Sequence, residues 1–299
     1  MTASRSPHAP LVSAIVTTFN SAKTVLRSIE SIQAQTMTDL EIVVVDDASQ
    51  DDTVDVIQSV NEPRLRLVRN ERNRGIGGAK NVGVENARGQ HVAFLDSDDT
   101  WEADKLEKQL PVISTGRSAP LAFTAFWVHR AGTDKTVCRR PHRYGNWLQS
   151  ILMGETLSLG STLLATKQCF ETVGAFDESL RRLQDRDWTL RYLSQRNDFE
   201  YVDQPLAHIF NVGFPKAETI RASVDNLFAR HEKELRERDP ALERTFRSGL
   251  DFEVAVAEYR SGDLSGASRT LLQAFVSSPA NSAYFFRRAM RKFFQRDLS

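Results

Sequence analysis

Two rhythms of hydrophobic and polar residues alternate along the first hundred positions. The segments "VSAIVTTF" (12–19), "LEIVVVDD" (40–47), "RLRLVRN" (64–70) and "HVAFL" (91–95) read as strands. The second is a near-continuous β-branched run and predicts a strand buried on both faces. Between them the spacing turns helical. Residues 21–35 place Val25, Ile29 and Ile32 on one face, with Asn20 or Ser21 available as the cap, and 51–60 and 77–87 read as further helices. A fourth helix is expected from about Trp101, capped by Asp99 or Thr100. This alternation predicts an α/β fold, a mostly parallel sheet flanked by helices, with its ligand site at the carboxyl ends of the strands.

That geometry gathers the polar residues into one crevice. Thr17, Thr18 and Phe19 end the first strand, Asp46 and Asp47 the second, and Asp96, Asp98 and Asp99 the fourth. Three carboxylates within "DSDD" repel one another and resist burial. A divalent cation turns the same crowding into a ligand set, whereas a solvated helix cap accounts for one carboxylate only. The spacing disfavours an EF-hand: counted from Asp96, the sixth position, which needs glycine, is Trp101, and a strand-like run precedes the cluster.

Composition narrows the classes. The 299 residues carry no net charge, so no global basic field points to nucleic acid. The two cysteines, Cys138 and Cys169, form no ligand pattern and suit a reducing compartment. With no apolar leader in "MTASRSPHAP" and no run near the ~18 apolar residues of a membrane span, the expected location is cytoplasmic. After residue 216 the strand signals stop and charged helical segments take over, which divides the chain into 1–216 and a helical appendage, 217–299. Its last segment, "AYFFRRAMRKFFQR" (283–296), winds phenylalanines onto one face and Arg and Lys onto the other. This helix either contacts an anionic membrane or packs its aromatic face on the protein.

Four segments in order, "VSAIVTTFNSAKTVLRSIESIQAQT", "EIVVVDDASQDDT", "NRGIGGAKNVGVENARGQHVAFLDSDD" and "VGAFDESLRRLQDRDWTLRY", resemble the family 2 inverting glycosyltransferases of the GT-A fold. The resemblance runs from about residue 12 to about 208. It implies a nucleoside-diphosphate sugar donor, with a uridine base mildly preferred, an Mn²⁺ or Mg²⁺ ion, and a glycan, lipid-linked or other hydroxyl acceptor. Asp47 then receives the base imide, beside Asp46 and the segment from Thr17 to Phe19. Asp96 meets the ribose or metal-bound water, and Asp98, with Asp99 as the rival, ligates the metal. Arg74 and Lys80 are candidate phosphate contacts. His208, just past the expected strand "FEYVD", is a candidate contact to diphosphate or metal, and residues 211–219 read as a loop closing over the donor. Residues 160–162 suit an acceptor-side wall. Asp185 is the base, although the pair is Gln184-Asp185 where the family pattern has Glu-Asp; Asp187 and Trp188 open the next helix, Asp187 as a cap or surface residue or a catalytic one, Trp188 as core or facing the acceptor.

Other enzyme signatures are missing. "GIGGAKNVG" follows the third strand and lacks the spacing of a dinucleotide fingerprint, and neither a phosphate-binding P-loop nor a nucleophile elbow occurs. A nucleotidyltransferase and a noncatalytic sugar-nucleotide-binding protein remain as alternatives; the first would need a glycine-rich basic loop where "TTFNSA" stands.

Overall fold

The computed structural model describes residues 9–114, 120–130, 132, 134–195, 198–211 and 215–286. In chain order the elements are β1 (Val12–Thr18), α1 (Val25–Gln33), β2 (Leu40–Asp46), α2 (Thr53–Gln58), β3 (Leu65–Arg69), α3 (Gly75–Asn86), β4 (His91–Asp96), β5 (Thr100–Trp101) and α4 (Lys105–Ser114). There follow β6 (Leu121–Arg130), β7 (Thr136–Arg139), α5 (Trp147–Leu152), α6 (Leu159–Thr162), β8 (Leu164–Thr166), α7 (Gln168–Val173), α8 (Gln184–Gln195), β9 (Glu200–Asn211), α9 (Ala217–Arg238), α10 (Pro240–Ser261) and α11 (Leu264–Ser277). The chain divides into two compact units, Met1–Pro141 with Leu157–Val212, and His142–Thr156 with Gly213–Ser299.

The first unit is built on a nine-stranded sheet of order β3-β2-β1-β4-β8-β6-β9-β5, with β7 paired to β6. From β3 to β4 the pairing is parallel. Beyond β4 it is mixed, with β8 antiparallel to β4 and β6, β9 parallel to β6, and β5 antiparallel to β9. The α/β architecture expected from the alternating rhythms is therefore present. Val12, Ile15 and Val16 of β1 are fully shielded, as are Ile42, Val43, Val44 and Val45 of β2 and Val25, Ile29 and Ile32 of α1. Strand β3 lies at the end of the sheet order and is only half-buried. Burying one aliphatic side chain contributes about 1.5–3 kcal/mol, so the two sequence rhythms account for the core. A glycine lets α3 lie close on β1: a Cβ at Gly83 would come 2.4 Å from Ile15 Cγ2.

Local boundaries differ from the sequence expectation in four places. Thr100 and Trp101 form β5, paired with His208 and Ala207 of β9, and the following helix begins at Lys105. The buried Trp101 ring, with Nε1 donating to Ser161 O at 2.8 Å, fixes this backbone against the sheet before a helix can start. His208 is accordingly inside β9, which runs on to Asn211. Helix α8 opens at Gln184, so Asp185 and Asp187 both lie in its first turn. Helix α1 opens at Val25 without a side-chain cap: Asn20 Oδ1 accepts from Gln50 N, and Ser21 Oγ donates to Phe19 O and accepts from Ser97 Oγ.

The second unit is helical, and its core contains Met153, Phe252, Val256, Ala274, Tyr284 and Phe285. It includes His142–Thr156, a stretch that the 216/217 boundary leaves with the first unit. Helix α9 begins at Ala217, within the segment read as a closing loop, while 212–214 lie outside the described residues. Asp239 caps α10 through Ala241 N at 2.8 Å, and Gly262 ends it at a φ of 89°. Of the terminal segment 283–296, only 283–286 are described: Phe285 is buried against Phe252, with ring centroids 5.7 Å apart, and Phe286 is exposed. No helix among the described residues is long and apolar enough to cross a membrane.

Candidate functional site

Strand register sets the site. Thr17 lies opposite Val45 on one side and Asp96 on the other, and Thr18 lies opposite Asp46. The ends of β1, β2 and β4 therefore form one edge. The loops beyond β1 and β2 are joined by Asn20 N donating to Ser49 Oγ (2.9 Å), Gln50 N to Asn20 Oδ1 (2.8 Å) and Ser21 N to Thr53 Oγ1 (2.8 Å). Thr17 and Thr18 are buried, whereas Phe19 is exposed.

Asp46 is fully buried, with Ser49 N 3.4 Å from each carboxylate oxygen and Arg69 Nε 3.5 Å away. Asp47 accepts from Asn70 Nδ2 at 2.7 Å and from Arg74 N at 2.9 Å, so it also fixes the loop leading into α3. The Arg74 side chain is held by Glu178, Nη2 to Oε1 at 2.5 Å, which strengthens its hold on its proton. Lys80 is almost wholly buried, and its ammonium stands 3.4 Å from Asp96 Oδ1.

The "DSDD" loop contains two kinds of aspartate. Asp96 Oδ1 is buried without a hydrogen bond, apart from the nearby Lys80 charge. Gly160 lies against the same carboxylate, where a Cβ would fall 2.3 Å from Asp96 Oδ2. Asp98 is half-buried, and burial, followed by the charge of Asp96, pushes its pKa up. Asp99 is different: Oδ2 accepts from Ser161 Oγ at 2.5 Å and Oδ1 from Phe210 N at 3.0 Å. Burial is the largest cause raising its pKa, followed by Asp96. Both oxygens of Asp99 thus tie the loop to α6 and β9. His208 is similarly engaged, with Nε2 2.8 Å from Glu102 Oε1 and Nδ1 2.9 Å from His129 Nε2.

The base candidate sits at the start of α8. Asp185 is half-buried; its Oδ1 accepts the Arg186 N–H at 2.8 Å, and Oδ2 has no partner among the described residues. Leu183, just before the helix, has a φ of 63°, a left-handed conformation uncommon for a bulky residue. Gln184 is buried beside Gly77 of α3, and its Oε1 has no partner among the described residues. Asn81 of α3 fastens the segment before α8, bonding both the N–H and the carbonyl of Phe176. Asp187 is a buried partner of Arg191 at 3.0 Å rather than a surface cap, and Trp188 is core, with Nε1 donating to Gly174 O.

Sequence reasoning missed Arg27, Ser28 and Phe210, which hold the loop from outside, and the support that Ser161 gives to Asp99. Ser28 Oγ donates to Asp99 O at 2.7 Å, and Arg27 Nη2 donates to Asp98 O. Helical spacing put Ser28 on the buried face of α1, which was the one available signal; the partners of Arg27 and Ser28 are backbone carbonyls, which leave no mark in a sequence. Residues 160–162, read as an acceptor-side wall, include direct supports of Asp96 and Asp99. Among the described residues no group of three or more His, Cys, Asp or Glu is arranged to hold a metal ion.

Solved structures share this architecture. S. aureus TarS in complex with UDP-GlcNAc superposes with a TM-score of 0.59 at 17% identity, covering 89% of this chain and 92% of that one. The mannosyltransferase PcManGT from Pyrobaculum calidifontis, in complex with GDP-Man and Mn²⁺, gives 0.56 at 18%, covering 97% and 89%. At these identities the likeness shows the fold, which is GT-A. The glycosyl transferase family 2 profile matches residues 13–167, more than half of the sequence, and the chain belongs to that family. It is 46% identical over 101 residues to the succinoglycan biosynthesis protein ExoO of Rhizobium meliloti (strain 1021), covering 34% of this chain and 29% of that protein. It is 37% identical over 105 residues to the Escherichia coli UDP-Glc:alpha-D-GlcNAc-diphosphoundecaprenol beta-1,3-glucosyltransferase WfaP, covering 35% and 42%. These matches span less than half the length of either relative.

Proposed function

We propose that the chain transfers a sugar, with inversion, from a nucleoside-diphosphate sugar to an acceptor hydroxyl in the assembly of a surface glycan or polysaccharide. The observation that carries this reading is the edge where Asp46 and Asp47 stand at one strand end and Asp96 and Asp98 at another, with Lys80 buried beside Asp96. The base end of the donor would lie against Thr17, Phe19 and Asp47. Its diphosphate would lie toward Lys80 and the start of α3, where helix N–H groups favour anions.

The residues fit a divalent ion of the Mg²⁺ or Mn²⁺ type, which takes few carboxylates and completes its shell with water and phosphate oxygens. Asp96 Oδ1 is a buried acceptor that receives no hydrogen bond and faces only the Lys80 ammonium at 3.4 Å, and Asp98 offers a half-buried carboxylate beside it. Asp98 would be the direct ligand, with Asp96 toward ribose or bound water. Asp99 and His208 serve the scaffold in this reading, because their polar atoms are already paired. When bound, such an ion supplies positive charge that stabilises the departing diphosphate.

The protein's own chemistry is proton transfer. Asp185 takes the acceptor proton as the hydroxyl oxygen attacks the anomeric carbon and the nucleoside diphosphate departs from the opposite side. Gln184 gives Asp185 a neutral neighbour in place of a second carboxylate. The relatives favour polysaccharide assembly and, for WfaP, a lipid-linked diphosphate acceptor. A cytoplasmic site with peripheral membrane contact through 283–296 would suit such an acceptor. Incubation with UDP-, GDP- and dTDP-sugars, Mn²⁺ and a lipid-linked glycan acceptor tests the reading: diphosphate release that depends on acceptor supports it, and no release from any donor refutes it.

A further inference from the structure

Helix α1 carries an arginine that no motif assigned. Arg27 Nη2 donates to the carbonyl of Asp98, and its Cζ lies 3.9 Å from the centroid of the Phe210 ring. That ring also stacks on His129, with centroids 4.3 Å apart and planes 10° from parallel. The Phe210 N–H donates to Asp99 Oδ1 at 3.0 Å. Next to Arg27, Ser28 Oγ donates to the carbonyl of Asp99 at 2.7 Å. Two adjacent residues of one helix therefore grip two consecutive carbonyls, and the aromatic partner of the first is itself bonded to the second aspartate.

We propose that Arg27 is a positioning residue for the donor site, acting through the Asp98 carbonyl and the Phe210 ring to hold the Asp98 carboxylate where it meets the diphosphate end of the donor. This rests on the donor-site reading above. The guanidinium suits the task because it is planar: it can contact an aromatic ring while one of its N–H groups reaches a carbonyl. A lysine keeps the charge over the ring but loses the fixed plane, and a methionine keeps only the apolar stem. With the carbonyls of Asp98 and Asp99 both held, the peptide between them has a set orientation, and so does the start of the Asp98 side chain.

The test uses UDP and GDP as probes with the full chain, by titration calorimetry with Mn²⁺ and with EDTA, on wild type, Arg27→Met, Arg27→Lys and Phe210→Leu. Glu30→Gln, an exposed change on the same helix, is the control. Arg27→Met is expected to weaken Mn²⁺-dependent nucleotide binding at least tenfold and to leave binding in EDTA within twofold. Arg27→Lys should recover part of the loss, and Phe210→Leu, which retains the backbone N–H to Asp99, should show a smaller loss in the same direction. A lowered melting temperature with unchanged Mn²⁺-dependent affinity, or equal losses with and without Mn²⁺, overturns the assignment and leaves Arg27 a fold residue. If Arg27→Met does not fold, the Lys and Leu variants decide by the same criterion. Absence of nucleotide binding by the wild type overturns the donor-site reading and the assignment with it.

Discussion

Replacing Lys105 by methionine is expected to stabilise the protein at neutral pH and to lose that advantage near pH 10. Lys105 is completely buried at the start of α4. Its ammonium donates to Gln109 Oε1 at 2.5 Å and stands 4.3 Å from the Trp101 ring centroid. Burial lowers its pKa from 10.5 to about 7. Between those values the unfolded chain binds a proton that the folded chain does not, so stability rises with pH across the window and is lowest at and below neutrality. At 1.36 kcal/mol per pH unit, the full penalty is roughly 4–5 kcal/mol. Methionine is of similar size and removes that penalty, but it leaves Gln109 Oε1 without its donor, at a cost of about 1–3 kcal/mol. The net gain at pH 7 is then roughly 1–4 kcal/mol, becoming a loss of up to about 2 kcal/mol at pH 10. Urea unfolding of both proteins at pH 6, 7, 8.5 and 10 measures the difference. A destabilisation that is equal at pH 7 and pH 10 would refute the reasoning, since it would mean that the ammonium is solvated in the folded state.

Other expected outcomes concern the loop after β4. Asp98→Asn should weaken Mn²⁺-dependent nucleotide binding by about tenfold or more while the melting temperature holds, a loss of about 1.4 kcal/mol in binding; calorimetry with and without Mn²⁺ reads it. Asp99→Ala should act the other way round, lowering stability by about 1–3 kcal/mol because Phe210 N and Ser161 Oγ lose their shared acceptor, and urea unfolding checks this. Gly160→Ala places a methyl 2.3 Å from Asp96 Oδ2 and should displace that carboxylate; donor KM should rise severalfold with only a small fall in melting temperature, and unchanged kinetics would separate Gly160 from the site.

The parallel half of the sheet was legible in the sequence because β1, β2 and β4 are shielded strands whose apolar runs stop where the polar edge begins. Asp46, Asp47, Asp96 and Asp98 were placed at that edge by the same pattern. What escaped was set by distant pairing. Thr100 and Trp101 read as a helix start because nothing local announces that β9, more than a hundred residues later, pairs with them. Asp99 stood as a rival to Asp98 in the sequence, where nothing shows that Ser161 and Phe210, both remote along the chain, bond its oxygens. His208 looked available for the same reason, since its partners Glu102 and His129 come from β5's flank and β6. The insertion of His142–Thr156 into the second unit is likewise a matter of long-range packing.

The central claim is that this crevice carries glycosyl transfer with Asp185 as the base, and its most direct test is acceptor-dependent diphosphate release by wild type and Asp185→Asn at saturating donor and acceptor, with nucleotide affinity measured on both. Equal nucleotide affinity and a turnover reduced by about 10² to 10⁴ are expected in the variant, the usual weight of general-base catalysis. Turnover by Asp185→Asn close to that of wild type would contradict the claim.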